Sequence, residues 1–108
     1  MINSDILRTE FAKFCIKYNK YITIHYISGD SQEVILWYVD KKGNHKIGFI
    51  VDIPRSKVEF HYSYRKHYSH EAVPVNSIDD IISMCCVKLK LVPEYKRYTE
   101  INNILNNV

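Results

Sequence analysis

Glycine is scarce in this chain of 108 residues, occurring only at Gly29, Gly43 and Gly48. Spread that far apart, the glycines cannot form the glycine-rich loop that cradles a phosphate. Cysteine occurs three times, at Cys15, Cys85 and Cys86. An odd set with two adjacent members is a poor disulfide framework, and it reads as reduced thiols in a cytoplasmic setting. No apolar run nears the length that crosses a bilayer, and no basic region followed by an apolar stretch opens the chain. Neither a membrane nor secretion is therefore expected. Alanine appears only at Ala12 and Ala72, while Ile, Lys, Asn and Tyr abound. Those favoured residues have AT-rich codons, which points to a low-GC genome.

What is present is a globular balance, 46% hydrophobic and 25% charged, expected to form one α+β domain over residues 1–108. The net charge of +3 is mild, and neither demands nor excludes a nucleic-acid partner.

Period-two alternation between Tyr21 and Arg65 predicts four antiparallel strands in a meander. It is clearest in the second half. Ile47, Phe49, Val51 and Ile53 share one face of a strand, and Val58, Phe60, Tyr62 and Tyr64 share one face of the next. Pro54-Arg55 suits the centre of the turn between them, because proline fixes φ near the value required there. If Ile53 faces Ser56, then Val51 meets Val58, Phe49 meets Phe60 and Ile47 meets Tyr62, with Asp52 opposite Lys57. A slip of one residue would undo every pair. Turns are also expected at Ser28-Gly29-Asp30-Ser31 and at Asp40-Lys41-Lys42-Gly43. The strands they join, about Tyr21–Ile27 and Glu33–Val39, are apolar on both faces. If helices cover one face, Trp37, Ile35, Ile24 and Tyr26, together with Ile50, form an apolar surface on the other; if helices cover both, all of it is core.

Helices flank the strands. Leu7, Phe11, Phe14, Cys15 and Tyr18 recur at helical spacing over Asp5–Tyr18, with Ser4 the expected N-cap. Lys66–Asn76, containing Pro74, has no period and reads as a loop. A second helix opens at Ser77, where Asp80 completes a capping-box pattern, and Ile78, Ile81, Ile82, Cys85 and Leu89 form its stripe. Pro93 suits the first turn of a third helix over Glu94–Leu105, with Tyr98, Ile101, Ile104, Leu105 and Val108 on one side. The expected order is α-β-β-β-β-α-α, with the helices stacked on a sheet.

The most distinctive chemistry runs from Arg55 to His70. Arg55, Lys57, Arg65 and Lys66 stand against one acid, Glu59, among His61, His67, His70 and the aromatics Phe60, Tyr62, Tyr64 and Tyr68. Interleaved cations and tyrosines can neutralise phosphates and stack on bases, and the same groups can meet an acidic protein groove. They can equally be the solvated charges of an edge strand. His61, His67, His70 and the Cys85-Cys86 pair are zinc-ligand types, but their spacing matches no zinc motif, and Cys85 lies on an apolar stripe. No metal, cofactor or catalytic group is expected. Asp79 and Asp80 fit first-turn capping.

These features predict a small non-enzymatic binding protein of a phage or mobile element. It would occupy and inhibit a host nucleic-acid-handling protein through Arg55, Lys57, His61, Tyr64, Arg65, Lys66, His67, Tyr68 and Trp37. A direct RNA- or DNA-binding module is the alternative from another class, and a structural homodimer using the Trp37 face is a third.

Overall fold

Residues 2–106 are described by a computed structural model. They form α1 (Ser4–Lys17), then β1 (Ile22–Gly29), β2 (Glu33–Asp40), β3 (His45–Asp52), β4 (Lys57–Tyr64) and β5 (His67–Pro74). Two helices follow, α2 (Ile78–Lys88) and α3 (Pro93–Asn106), joined by a short 3-10 turn at Leu89–Leu91. The class is α+β as expected. The sheet, however, is an antiparallel meander of five strands in the order β1-β2-β3-β4-β5, not four.

The extra strand is β5, within the stretch expected to be a loop. Its residues His67–Pro74 are all exposed except Val73, which is half-buried. A strand at the sheet edge with no buried face has no apolar period to display, so periodicity cannot find it. Backbone pairing defines it instead, from Tyr64↔His67 through His61↔His70 to Lys57↔Pro74. The turn between β4 and β5 holds Arg65 in the left-handed region, at φ 55°. Pro74, which has no N–H to donate, ends the strand on the sheet's outer edge, where proline is tolerated. β4 is therefore an interior strand, and the edge role foreseen for its charged residues passes to β5.

The expected β3–β4 register holds in full: Val51↔Val58, Phe49↔Phe60, Ile47↔Tyr62 and Asp52↔Lys57. Ser56 N–H donates to Ile53 O at 3.2 Å, closing the turn over Pro54-Arg55. At the β2–β3 turn Gly43 N–H donates to Asp40 O, and Gly43 takes φ 73°. The buried Asp40 completes that turn, its Oδ1 accepting from the backbone N–H of Asn44 and of His45. The β1–β2 turn lies further along than expected. Its centre is Ser31-Gln32, because the Asp30 carboxylate accepts from the N–H of both Gln32 and Glu33 and so fixes the bend there.

All three helices lie on one side. The α1 stripe of Leu7, Phe11, Phe14 and Cys15 and the α2 residues Ile81 and Cys85 are buried as expected. They meet Val34, Leu36, Tyr38, Ile47, Phe49, Val51, Val58 and Phe60 in one core. The N-cap of α1 is Asn3 rather than Ser4: Asn3 is extended and its Oδ1 accepts from Ile6 N–H at 3.0 Å. Ser77 caps α2 as foreseen, accepting from Asp80 N–H. α3 buries no residue, and leans on Tyr18 and Tyr21 through edge-on contacts of Tyr95. Tyr98, Ile101, Ile104 and Leu105 stay exposed on its surface, and Val108 lies outside the described residues.

Candidate functional site: the bare face of the sheet

With the helices on one side, no element among the described residues covers the other face of the sheet. Strand alternation and the observed register settle which residues share it. One row crosses all five strands: Tyr26↔Trp37, Trp37↔Gly48, Gly48↔His61 and His61↔His70. The next row toward the β4–β5 turn carries Ile24, Val39, Lys46, Ser63 and Tyr68. The row on the other side carries Ser28, Ile35, Ile50, Glu59 and Ala72.

Trp37 is the centre of this face. Its ring lies flat across β3 at Gly48, where a Cβ would come within 2.5 Å of the indole. Only glycine leaves room for that arrangement, and the indole in turn buries the glycine. Lys46 Nζ sits 5.0 Å from the Trp37 ring centroid, within cation–π range, and the His61 ring lies on the far side at 5.7 Å. Ile24 and Tyr26 on β1 remain 66% and 59% exposed. With Trp37, Val39 and Lys46 they line a shallow apolar groove. A β-bulge between Ile22 and Ile24 re-aims β1, so that Ile22 enters the core while Ile24 faces outward.

The β4–β5 half of the face is polar. His61 Nδ1 lies 2.5 Å from the Tyr68 hydroxyl, and its ring is 4.5 Å from that of His70. His70 Nε2 is 3.4 Å from Glu59 Oε1. Burial first, and then the neighbouring His70, hold the His61 pKa below the usual imidazole value, against the opposing pull of Glu59. Among the described residues His61 Nε2 is closed to solvent and has no hydrogen-bond partner.

The residues expected to form a partner surface are divided by this geometry. Trp37, His61, Tyr68 and Lys57 share the bare face. Tyr64 and His67 pair with each other on the helix side, where the Tyr64 ring stacks on His45 at 4.2 Å. Arg65 and Lys66 occupy the β4–β5 turn, with the Arg65 guanidinium over Tyr64. Arg55 occupies the β3–β4 turn and pairs with Asp52. Lys57 and Arg65 mark opposite ends of an eight-residue strand, about 26 Å apart at the rise of an extended chain. The cations thus form two small clusters rather than one patch. Tyr26, grouped with Trp37, Ile35 and Ile24 from the sequence, does share the face with them. Lys46 and Glu59 were not among the expected site residues; what they contribute depends on neighbours set by register.

Cys15 and Cys85 are buried, whereas Cys86 is half-buried. Burial pushes the Cys15 thiol up to about 11 and the Cys85 thiol well above its ordinary value, which keeps both protonated. His67 is on the opposite face from His61 and His70, so the His/Cys grouping considered from sequence is not assembled. Among the described residues no helix is long and apolar enough to cross a membrane. Compared with known protein families, with curated proteins and with solved structures, the chain finds no match, so its functional reading rests on its own residues.

Proposed function

We infer that this is a non-enzymatic binding protein that docks another protein on the bare face of its sheet, with Trp37 as anchor. The observation that carries the reading is the seating of Trp37 over Gly48, beside the exposed Ile24 and Tyr26 of the neighbouring strand. Rigid aromatics set among apolar neighbours are favoured interface anchors, because their burial gains much contact area at little cost in side-chain order. The charge on this face favours a protein over a nucleic acid. Lys46 and Lys57 share it with Glu33, Asp52 and Glu59, so it offers phosphates no net attraction. The cationic turns at Arg55 and at Arg65-Lys66 then act as a rim, steering an acidic surround on the partner.

The finer identity is a general expectation for small accessory domains, with which the composition and size agree. An accessory protein of a phage or mobile element from a low-GC genome, occupying a host nucleic-acid-handling protein, fits a small domain whose working surface is a docking face. Trp37 is the sole tryptophan and reports directly on that face. The test is retention of a defined host protein by the immobilised chain and by its Tyr26→Glu variant, with Trp37 fluorescence read in solution. Retention by the parent and loss in the variant support the reading. A fluorescence change on adding single-stranded or duplex nucleic acid alone favours the nucleic-acid module, and a dimer dispersed by Tyr26→Glu favours the homodimer.

A further inference from the structure

We propose that Glu59, His61 and His70 form a binding site for a divalent transition-metal ion, of which Zn²⁺ is the probe. The inference is independent of what docks around Trp37. Each of the three residues offers one ligating atom, and these atoms lie within 4.8 Å of one another. Ligand atoms around a tetrahedral ion at ordinary Zn–N and Zn–O lengths are about 3.3 Å apart. The His70–Glu59 pair already stands at 3.4 Å, so small side-chain rotations complete the set. The donors are two imidazoles and a carboxylate, a set borderline-soft divalent ions favour, and the carboxylate offsets part of the ion's charge.

A second observation points to a ligand. Among the described residues His61 Nε2 is shielded from solvent and has no hydrogen-bond partner, which leaves its lone pair uncommitted. The other nitrogen, Nδ1, is held by the Tyr68 hydroxyl at 2.5 Å. That is how metal-bound histidines are commonly oriented: an outer partner fixes one nitrogen and leaves the other for the ion. Three protein ligands leave further coordination positions, and the exposed side of His70 gives them access to water or to a donor from another molecule.

Bound there, the ion would join two strands. Glu59 and His61 are on β4, whereas His70 is on β5, an edge strand that lacks a buried face. A bridge between them adds to what already holds that edge in register: backbone pairing, the half-buried Val73 and the Glu71–Lys88 ion pair to α2.

The experiment is calorimetric titration of the chelator-treated full chain with Zn²⁺, paired with the Co²⁺ absorption spectrum and amide exchange of β5. One equivalent of Zn²⁺ is expected to bind and to slow exchange at Tyr68–Val73. His70→Ala and Glu59→Gln should each weaken binding at least about tenfold, and Tyr68→Phe by about tenfold through loss of the outer hydrogen bond. All three side chains are partly or fully exposed, so the variants should keep the circular dichroism of the parent. Co²⁺ should give ligand-field bands without a thiolate charge-transfer band. The proposal is overturned if the parent binds no Zn²⁺. It is equally overturned if affinity survives His70→Ala and Glu59→Gln, or if the Co²⁺ spectrum shows thiolate ligation that Cys86→Ser removes.

Discussion

The helix-covered and bare faces of the sheet draw on the same strands, and often on adjacent residues, yet they use their apolar groups differently. On the covered face Val34, Leu36, Ile47, Phe49, Val51 and Val58 are wholly buried under the stripes of α1 and α2. On the bare face Ile24 and Tyr26 lie open, and Trp37 finds its cover in the backbone of Gly48 and the side chains of Lys46 and His61. An apolar residue on a strand becomes core only where another element brings an apolar stripe to meet it. Without that stripe the same residue type is available for recognition. The covered face therefore carries stability, and the docking we propose falls to the bare face, so substitutions on the two should be separable.

The largest separation is expected from truncations on the two faces. Phe49→Ala or Phe60→Ala should cost about 3–5 kcal/mol in urea unfolding, since each leaves a hole in a packed core. In the same native state Cys15 and Cys85 should react with a thiol reagent only as the fold opens, with Cys86 modified first. A cost below about 1 kcal/mol for Phe49→Ala would remove the basis of the comparison.

Gly48→Ala tests where the faces touch. The added methyl meets the Trp37 ring, so the indole must leave β3, with a destabilisation of about 1–3 kcal/mol from overpacking. Trp37 emission should shift, and partner binding should fall with it. Unchanged emission would mean that the indole does not need the glycine.

Reversing the rim charges should act on encounter rather than on folding. Arg65→Glu with Lys66→Glu is expected to slow association with an acidic partner several-fold, an effect that shrinks as salt is raised. Adding Lys57→Glu, at the far end of the hairpin, should contribute separately, because distant sites are usually additive. If the three reversals together abolish binding while Tyr26→Glu does not, the recognition surface is the basic clusters and the bare face is incidental.

The smallest effect belongs to Ile24→Ala and Tyr26→Ala, which should change unfolding stability by no more than about 0.5 kcal/mol, the range of ordinary surface substitutions. A larger loss would show that the exposed side chains already serve the fold of the single chain.

Much of the covered face is legible in the linear chain because its signals are local. Alternation over Ile47–Tyr62 and a turn shaped by Pro54 give the β3–β4 register, and 3.6-residue stripes give α1 and α2. Local signals also misplace some details: Ser4 and Asn3 are near-equal caps, and both Gly29 and Asp30 suggest a turn. The strand β5 is hidden for a physical reason, since an edge strand exposed to water has no apolar period and is defined by the neighbour it pairs with. The same holds for the candidate sites. Nothing in the spacing of Glu59, His61 and His70 joins them without the β4–β5 pairing that sets His61 beside His70. Trp37 is conspicuous as the only tryptophan, but its partners Gly48 and Lys46 come from the β2–β3 register. The sequence by itself thus determined strand and helix identity wherever an apolar face had to be buried. Tertiary structure alone decided which face the helices took, and so which apolar groups remained outside, because that choice depends on how separate stripes fit together rather than on any one of them.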